Sequence, residues 1–156
     1  SIHAYTSDQP LQDYAQGDQR RSRSAAQNII PNANASAACV EQLLPRFAGR
    51  LSGCALNVPV QRGSLLDLNC VLRNVVDAEA VNELMRAAAA ARPRLIAVAE
   101  DPIVSSDVIG CRQTLLFDAK GTQRAGTRMV KTLAWYETLG HACRVLDVVR
   151  TYAALV

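Results

Sequence analysis

The chain begins Ser1-Ile2-His3-Ala4-Tyr5-Thr6-Ser7-Asp8-Gln9, and residues 19–31 read QRRSRSAAQNIIP. Residues 2–6 alternate apolar and polar side chains, the two-residue period of a short strand. From 7 to 34 the sequence is polar, rich in Asp, Gln, Gly, Ser, Asn and Pro, and lacks periodicity. A structureless segment of that length inside a compact domain marks function or a partner surface.

Beyond it, Ala38, Val40, Leu43, Leu44 and Phe47 fall near i, i+3 and i+4 spacing. That spacing predicts a helix over 36–47, ended or kinked near its close by Pro45. Two strand-like runs follow, 51–60 and 64–73. In the second, Leu66, Leu68, Cys70 and Leu72 alternate with Asp67, Asn69 and Val71. Asp77 is placed to cap a helix over Ala78–Ala91 that Pro93 stops. Strands are predicted at 95–99, 105–109, 114–118 and 129–136, with a turn at Ala119-Lys120-Gly121-Thr122. A closing helix over 141–155 sets Ala142, Val145, Leu146, Val149 and Tyr152 on one side. Runs of strands broken by two or three helices predict an α+β fold, a mainly antiparallel or mixed sheet with helices on one face.

At 156 residues and 49% hydrophobic the chain can bury one core, so a single domain is expected. A charged fraction of 20% is low and leaves room for a partner surface. The net charge of +3 permits anionic ligands, whereas nucleic-acid binding goes with a more strongly basic domain. Five cysteines (Cys39, Cys54, Cys70, Cys111, Cys143) stand far apart with no CxxC pair, most in apolar settings that suit small buried hydrophobes. An odd count in a chain this long argues against a disulfide framework, so a reducing cytoplasm is expected. His141 and Cys143 have no second ligand pair at a usable spacing, and no metal site is expected. No run approaches the ~18 apolar residues of a membrane span. A GxGxxG fingerprint is absent, so no dinucleotide-binding half is expected within these residues.

In order along the chain stand His3-Ala4-Tyr5-Thr6, then Arg23-Ser24-Ala25-Ala26-Gln27-Asn28-Ile29-Ile30-Pro31, Leu51-Ser52-Gly53, Val58-Pro59 and Leu66-Asp67-Leu68. Val104-Ser105-Ser106-Asp107 with Ile109-Gly110, Phe117-Asp118-Ala119-Lys120 and Val130-Lys131-Thr132-Leu133-Ala134-Trp135-Tyr136 follow. Taken together these motifs resemble the catalytic half of the glyceraldehyde-3-phosphate dehydrogenase family, which also contains the erythrose-4-phosphate dehydrogenases, whose double-arginine loop resembles Arg20-Arg21. The resemblance implies that residues 1–156 are a C-terminal catalytic domain, with the NAD-binding domain and the catalytic cysteine in sequence upstream of Ser1. It implies that His3 is the base for that cysteine, a role suited to an imidazole that can hold a thiolate–imidazolium pair near neutral pH. The cysteine attacks an aldehyde, the hemithioacetal gives hydride to NAD or NADP, and inorganic phosphate cleaves the thioester. Thr6 is implied at the phosphate of a phosphorylated aldehyde substrate. Arg20, Arg21 and Arg23 are implied at a subunit contact in a homo-oligomer, a tetramer in the family. The implied setting is cytoplasmic glycolysis.

Three positions depart from the family pattern. Asn57 replaces the arginine that precedes Val-Pro and clamps substrate phosphate. Asn34 replaces a threonine of the inorganic-phosphate site, with Ala35 in place of the following glycine. The segment after Trp135-Tyr136 is shortened to Glu137-Thr138-Leu139-Gly140, leaving Thr138 where an asparagine holds the nicotinamide. Arginine offers a permanent charge and a planar fork, asparagine a neutral amide. Losing one charged phosphate contact of about 1.5–3 kcal/mol weakens binding roughly ten- to a hundredfold. A divergent paralogue with another substrate, or with an interaction role and no catalysis, is the alternative expectation. On either, the 156 residues alone are expected to be inactive.

Overall fold

Ile2-His3-Ala4 forms strand β1 and Ala55–Val58 forms β3, paired in parallel with Ile2 opposite Leu56, His3 opposite Asn57 and Ala4 opposite Val58. A short strand β2, Ile30–Asn32, runs antiparallel on the other side of β3, with Ile30 opposite Asn57. Pro31 is tolerated there because β2 is an edge strand, where a missing N–H breaks no ladder. These observations come from a computed structural model that describes residues 1–155. Its residues divide into two compact units, the first Ser1–Gln61 and the second beginning at Arg62.

In the first unit the polar segment between β1 and β2 folds back on itself. Ala25 N–H donates to Pro10 O at 2.8 Å, Tyr14 N–H to Ser22 O at 2.9 Å, and Ser24 Oγ to Leu11 O at 2.7 Å. The expectation of an irregular segment throughout 7–34 is therefore corrected at its end, where Ile30–Asn32 is a strand. Ala4, Ala25 and Ile30 form the buried apolar centre of this unit. The helix expected over 36–47 ends earlier. Helix α1 is Ser36–Leu43, followed by a separate 3-10 turn over Pro45–Phe47. Proline at 45 has no N–H to donate, and its ring would strike the carbonyl of Glu41.

The second unit is built on four strands in the order β4 (Ser64–Val71), β7 (Met129–Tyr136), β6 (Leu115–Ala125), β5 (Ile96–Ala99). β4 and β6 lie antiparallel to β7, and β5 lies parallel to β6. Helix α2, Ala78–Ala91, starts where expected: Ala80 N–H donates to Asp77 Oδ1 at 2.7 Å. On its inner side Asn82, 6% exposed, donates to Ala119 O at 3.1 Å and accepts from Thr122 Oγ1 at 2.7 Å. The fold is α+β with mixed, mainly antiparallel pairing.

Three readings of this unit are corrected. Residues 105–109 are not a strand: Ser105–Val108 is a 3-10 turn in which Asp107 accepts from Val104 N–H at 2.8 Å. Its backbone presses on Gly63, where a Cβ would stand 2.2 Å from Ser105 O. Ala119-Lys120-Gly121-Thr122 does not end the strand but bulges within β6, between the pairs Asp118–Leu133 and Gln123–Lys131. Finally, helix α3 spans Thr138–Ala153, beginning before His141, because buried Gly140 lets the first turn close on Gln113 O, 2.2 Å from where a Cβ would be.

Candidate active site

His3 sits in the middle of β1, half-buried, with Nδ1 2.5 Å from Ala4 O. A neutral ring that donates from Nδ1 to this carbonyl carries its lone pair on Nε2, the arrangement a base requires. Residues opposite one another in register share a face of the sheet, so Asn57 stands beside His3. Asn57 is 7% exposed, and its Nδ2 donates to the same Ala4 carbonyl at 3.2 Å. Its Oδ1 accepts from Asn32 Nδ2 on β2. One carbonyl thus joins the histidine to a chain of amides that crosses all three strands of the first unit. Asn32 had no signal in the sequence, because its partner becomes visible only once β2 pairs with β3.

Thr6 follows β1 in a turn. Its hydroxyl donates to Asp8, and its N–H donates to Gln9 Oε1 at 3.1 Å. Asp8 also pairs with Arg21. The Thr6 hydroxyl first, and the Arg21 charge after it, hold the Asp8 carboxyl below its ordinary range. Gln9 is 5% exposed, and its Nε2 has no acceptor among the described residues. Arg23 pairs with Asp13 at 2.9 Å, so two of the three loop arginines are neutralised within the loop. Asn34 lies between β2 and α1, where its Oδ1 accepts from Ser36 N–H at 2.7 Å.

The first unit therefore brings His3 and Asn57 side by side, with Thr6 just beyond β1 and Asn34 just beyond β2. Thr138 belongs to the second unit, exposed in the first turn of α3. The cysteines differ from expectation: none is buried, and Cys39 and Cys54 are exposed. Cys54 follows Gly53 in the open approach to β3, so its apolar neighbours do not enclose it.

Residues 1–138 match the sequence pattern of the glyceraldehyde 3-phosphate dehydrogenase C-terminal domain. The chain belongs to the glyceraldehyde-3-phosphate dehydrogenase family. It is 43% identical over 142 residues to glyceraldehyde-3-phosphate dehydrogenase of Clostridium acetobutylicum, covering 88% of this chain and 42% of that protein. Glyceraldehyde-3-phosphate dehydrogenase 2 of Streptomyces arenae is 40% identical over 149 residues, 94% of this chain and 44% of its own. Glyceraldehyde-3-phosphate dehydrogenase of Kitasatospora aureofaciens is 38% identical over 156 residues, 99% of this chain and 47% of its own. The chain thus spans under half the length of these relatives. Its β1 and β3, with His3 and Asn57, fall inside the region matched to the family's C-terminal domain.

Proposed function

We propose that these residues form the catalytic domain of an NAD(P)-dependent aldehyde dehydrogenase of the glyceraldehyde-3-phosphate dehydrogenase type, which works with a cysteine and a dinucleotide-binding domain from sequence upstream. The observation that carries the reading is the setting of His3, with Nδ1 against Ala4 O. That contact orients the ring, and Nε2 is the nitrogen to which this reading assigns the thiol proton. When bound, NAD(P) accepts the two electrons of aldehyde oxidation. Within these residues the reading gives the nicotinamide end of the cofactor Thr138, exposed in the first turn of α3. Thr6 and Asn34 would face the substrate and inorganic phosphates. In this reading the isolated 156 residues hold a base without its nucleophile and do not turn over. The working form is a cytoplasmic homo-oligomer, as the family implies.

One observation favours a second reading, an altered substrate or a non-catalytic role. Asn57 is neutral, and its amide is already engaged by Asn32 and Ala4. It offers a phosphate no charge. We therefore expect the full-length protein to favour glyceraldehyde 3-phosphate over unphosphorylated glyceraldehyde only weakly in kcat/KM. Asn57→Arg, with Asn32→Ala to make room, should raise that preference by roughly ten- to a hundredfold. A strong preference already present in the unmodified protein would refute the role given to Asn57. Absence of turnover with either aldehyde would leave the interaction role standing and remove the dehydrogenase.

A further inference from the structure

Arg94, in the turn that leads to β5, Arg112, ahead of β6, and Arg144 and Arg150, on α3, line two adjoining cavities of about 370 and 510 Å³ in the second unit. The cavities share Arg94, Arg144, Asp147 and Arg150. Asp147 is their single carboxylate. It pairs with Arg94, with Arg144 Nη2 at 3.1 Å and distantly with Arg150 at 3.9 Å. Four guanidinium groups against one carboxylate leave a local excess of three positive charges.

The cluster has a fixed floor and a free rim. Arg144 Nη1 donates to Arg94 O at 2.8 Å, so its guanidinium is held at both ends. Its Nε is buried without an acceptor among the described residues. Arg112 makes no ion pair among the described residues, and Arg150 reaches Asp147 only at the limit of ion-pair distance. Like charges gathered around one carboxylate repel one another, and an incoming anion removes that repulsion. The guanidinium fork matches phosphate oxygens in two-point contacts.

We propose that this cleft binds a small anion carrying two or more linked phosphate groups. A single phosphate would leave part of the excess charge unmatched. The wall formed by Leu139, Cys143 and Leu146 would carry an apolar portion of the ligand. This site is independent of the dehydrogenase reading, because none of its residues belongs to the His3 cluster.

Calorimetry with the 156-residue chain tests it, using inorganic tripolyphosphate as probe at constant ionic strength, with sulfate and a glutamate-rich peptide as comparators. The expected result is saturable tripolyphosphate binding, weakened at least ~tenfold by Arg112→Gln with Arg150→Gln. The same loss of charge at Arg73→Gln with Arg128→Gln should leave it unchanged. In the unmodified chain, the Arg144 Nε–H resonance should shift as tripolyphosphate is added. Absent saturation, equal weakening by the control pair, tighter binding of the peptide or an unmoved Arg144 resonance would each overturn the proposal.

Discussion

Asp13 shows how single residues order the polar loop after β1. Its carboxylate accepts from Ser24 N–H at 2.8 Å and pairs with Arg23. The Ser24 hydrogen bond first, and the Arg23 charge after it, hold its pKa below the ordinary carboxylate value. A depressed folded-state pKa contributes stability that is complete above the unfolded value and is lost as pH falls through the folded one. The loop should therefore keep its order at neutral pH and loosen below about pH 4. The protection of the Ser24 amide, its exchange rate normalised to the intrinsic rate at each pH, should fall across that window, and in Asp13→Asn the acid-dependent part should vanish. Protection that stays constant from neutral to acid pH would show that Asp13 does not hold the loop. At this scale the motifs single out His3, Thr6 and Asn57, and the strand register sets His3 beside Asn57. Asn32, Gln9 and Asp8 were not, because a hydrogen bond between distant residues leaves no periodic trace in the chain.

Among the elements, α2 and β7 could be read directly: a capping aspartate, a stopping proline and regular alternation are local signals that packing did not override. The turn signal at 119–122 was real but was absorbed by tertiary contacts. Asp118 accepts from Gly121 N–H at 2.9 Å and from Trp135 Nε1 at 3.1 Å, which bends β6 without releasing it from β7. Asn82 then pins the bulge to α2. Asn82→Ala would leave Ala119 O and the Thr122 hydroxyl without that partner in a buried place. The expected cost is about 2 kcal/mol. Urea denaturation should show a lower midpoint with an unchanged slope, whereas a midpoint equal to that of the unmodified chain would show the bulge to be held elsewhere. Two of the boundaries that moved, at Pro45 and Gly140, did so for steric reasons tied to single residues, while the strand expected over 51–60 shortened to Ala55–Val58. One proline blocked a helix, and one glycine allowed a helix to start early.

At the scale of the molecule, α3 leaves an apolar side exposed. Val145, Val149 and Tyr152 are each at least half exposed. Apolar residues adjoining one another in this way mark an interaction surface, and the 156-residue chain should self-associate with rising concentration. Sedimentation velocity should show a concentration-dependent increase in mass that Val149→Lys reduces. A monomer at every concentration would contradict this. The fold class came from the alternation of strand and helix signals, whereas the division after Gln61 has no mark in composition, since no linker separates the units.

The most direct test of the account is aldehyde-dependent reduction of NAD by the full-length protein, compared with His3→Asn. The account predicts measurable turnover that His3→Asn lowers by roughly a hundred- to ten-thousandfold in kcat. Turnover that is equal in both proteins would contradict it.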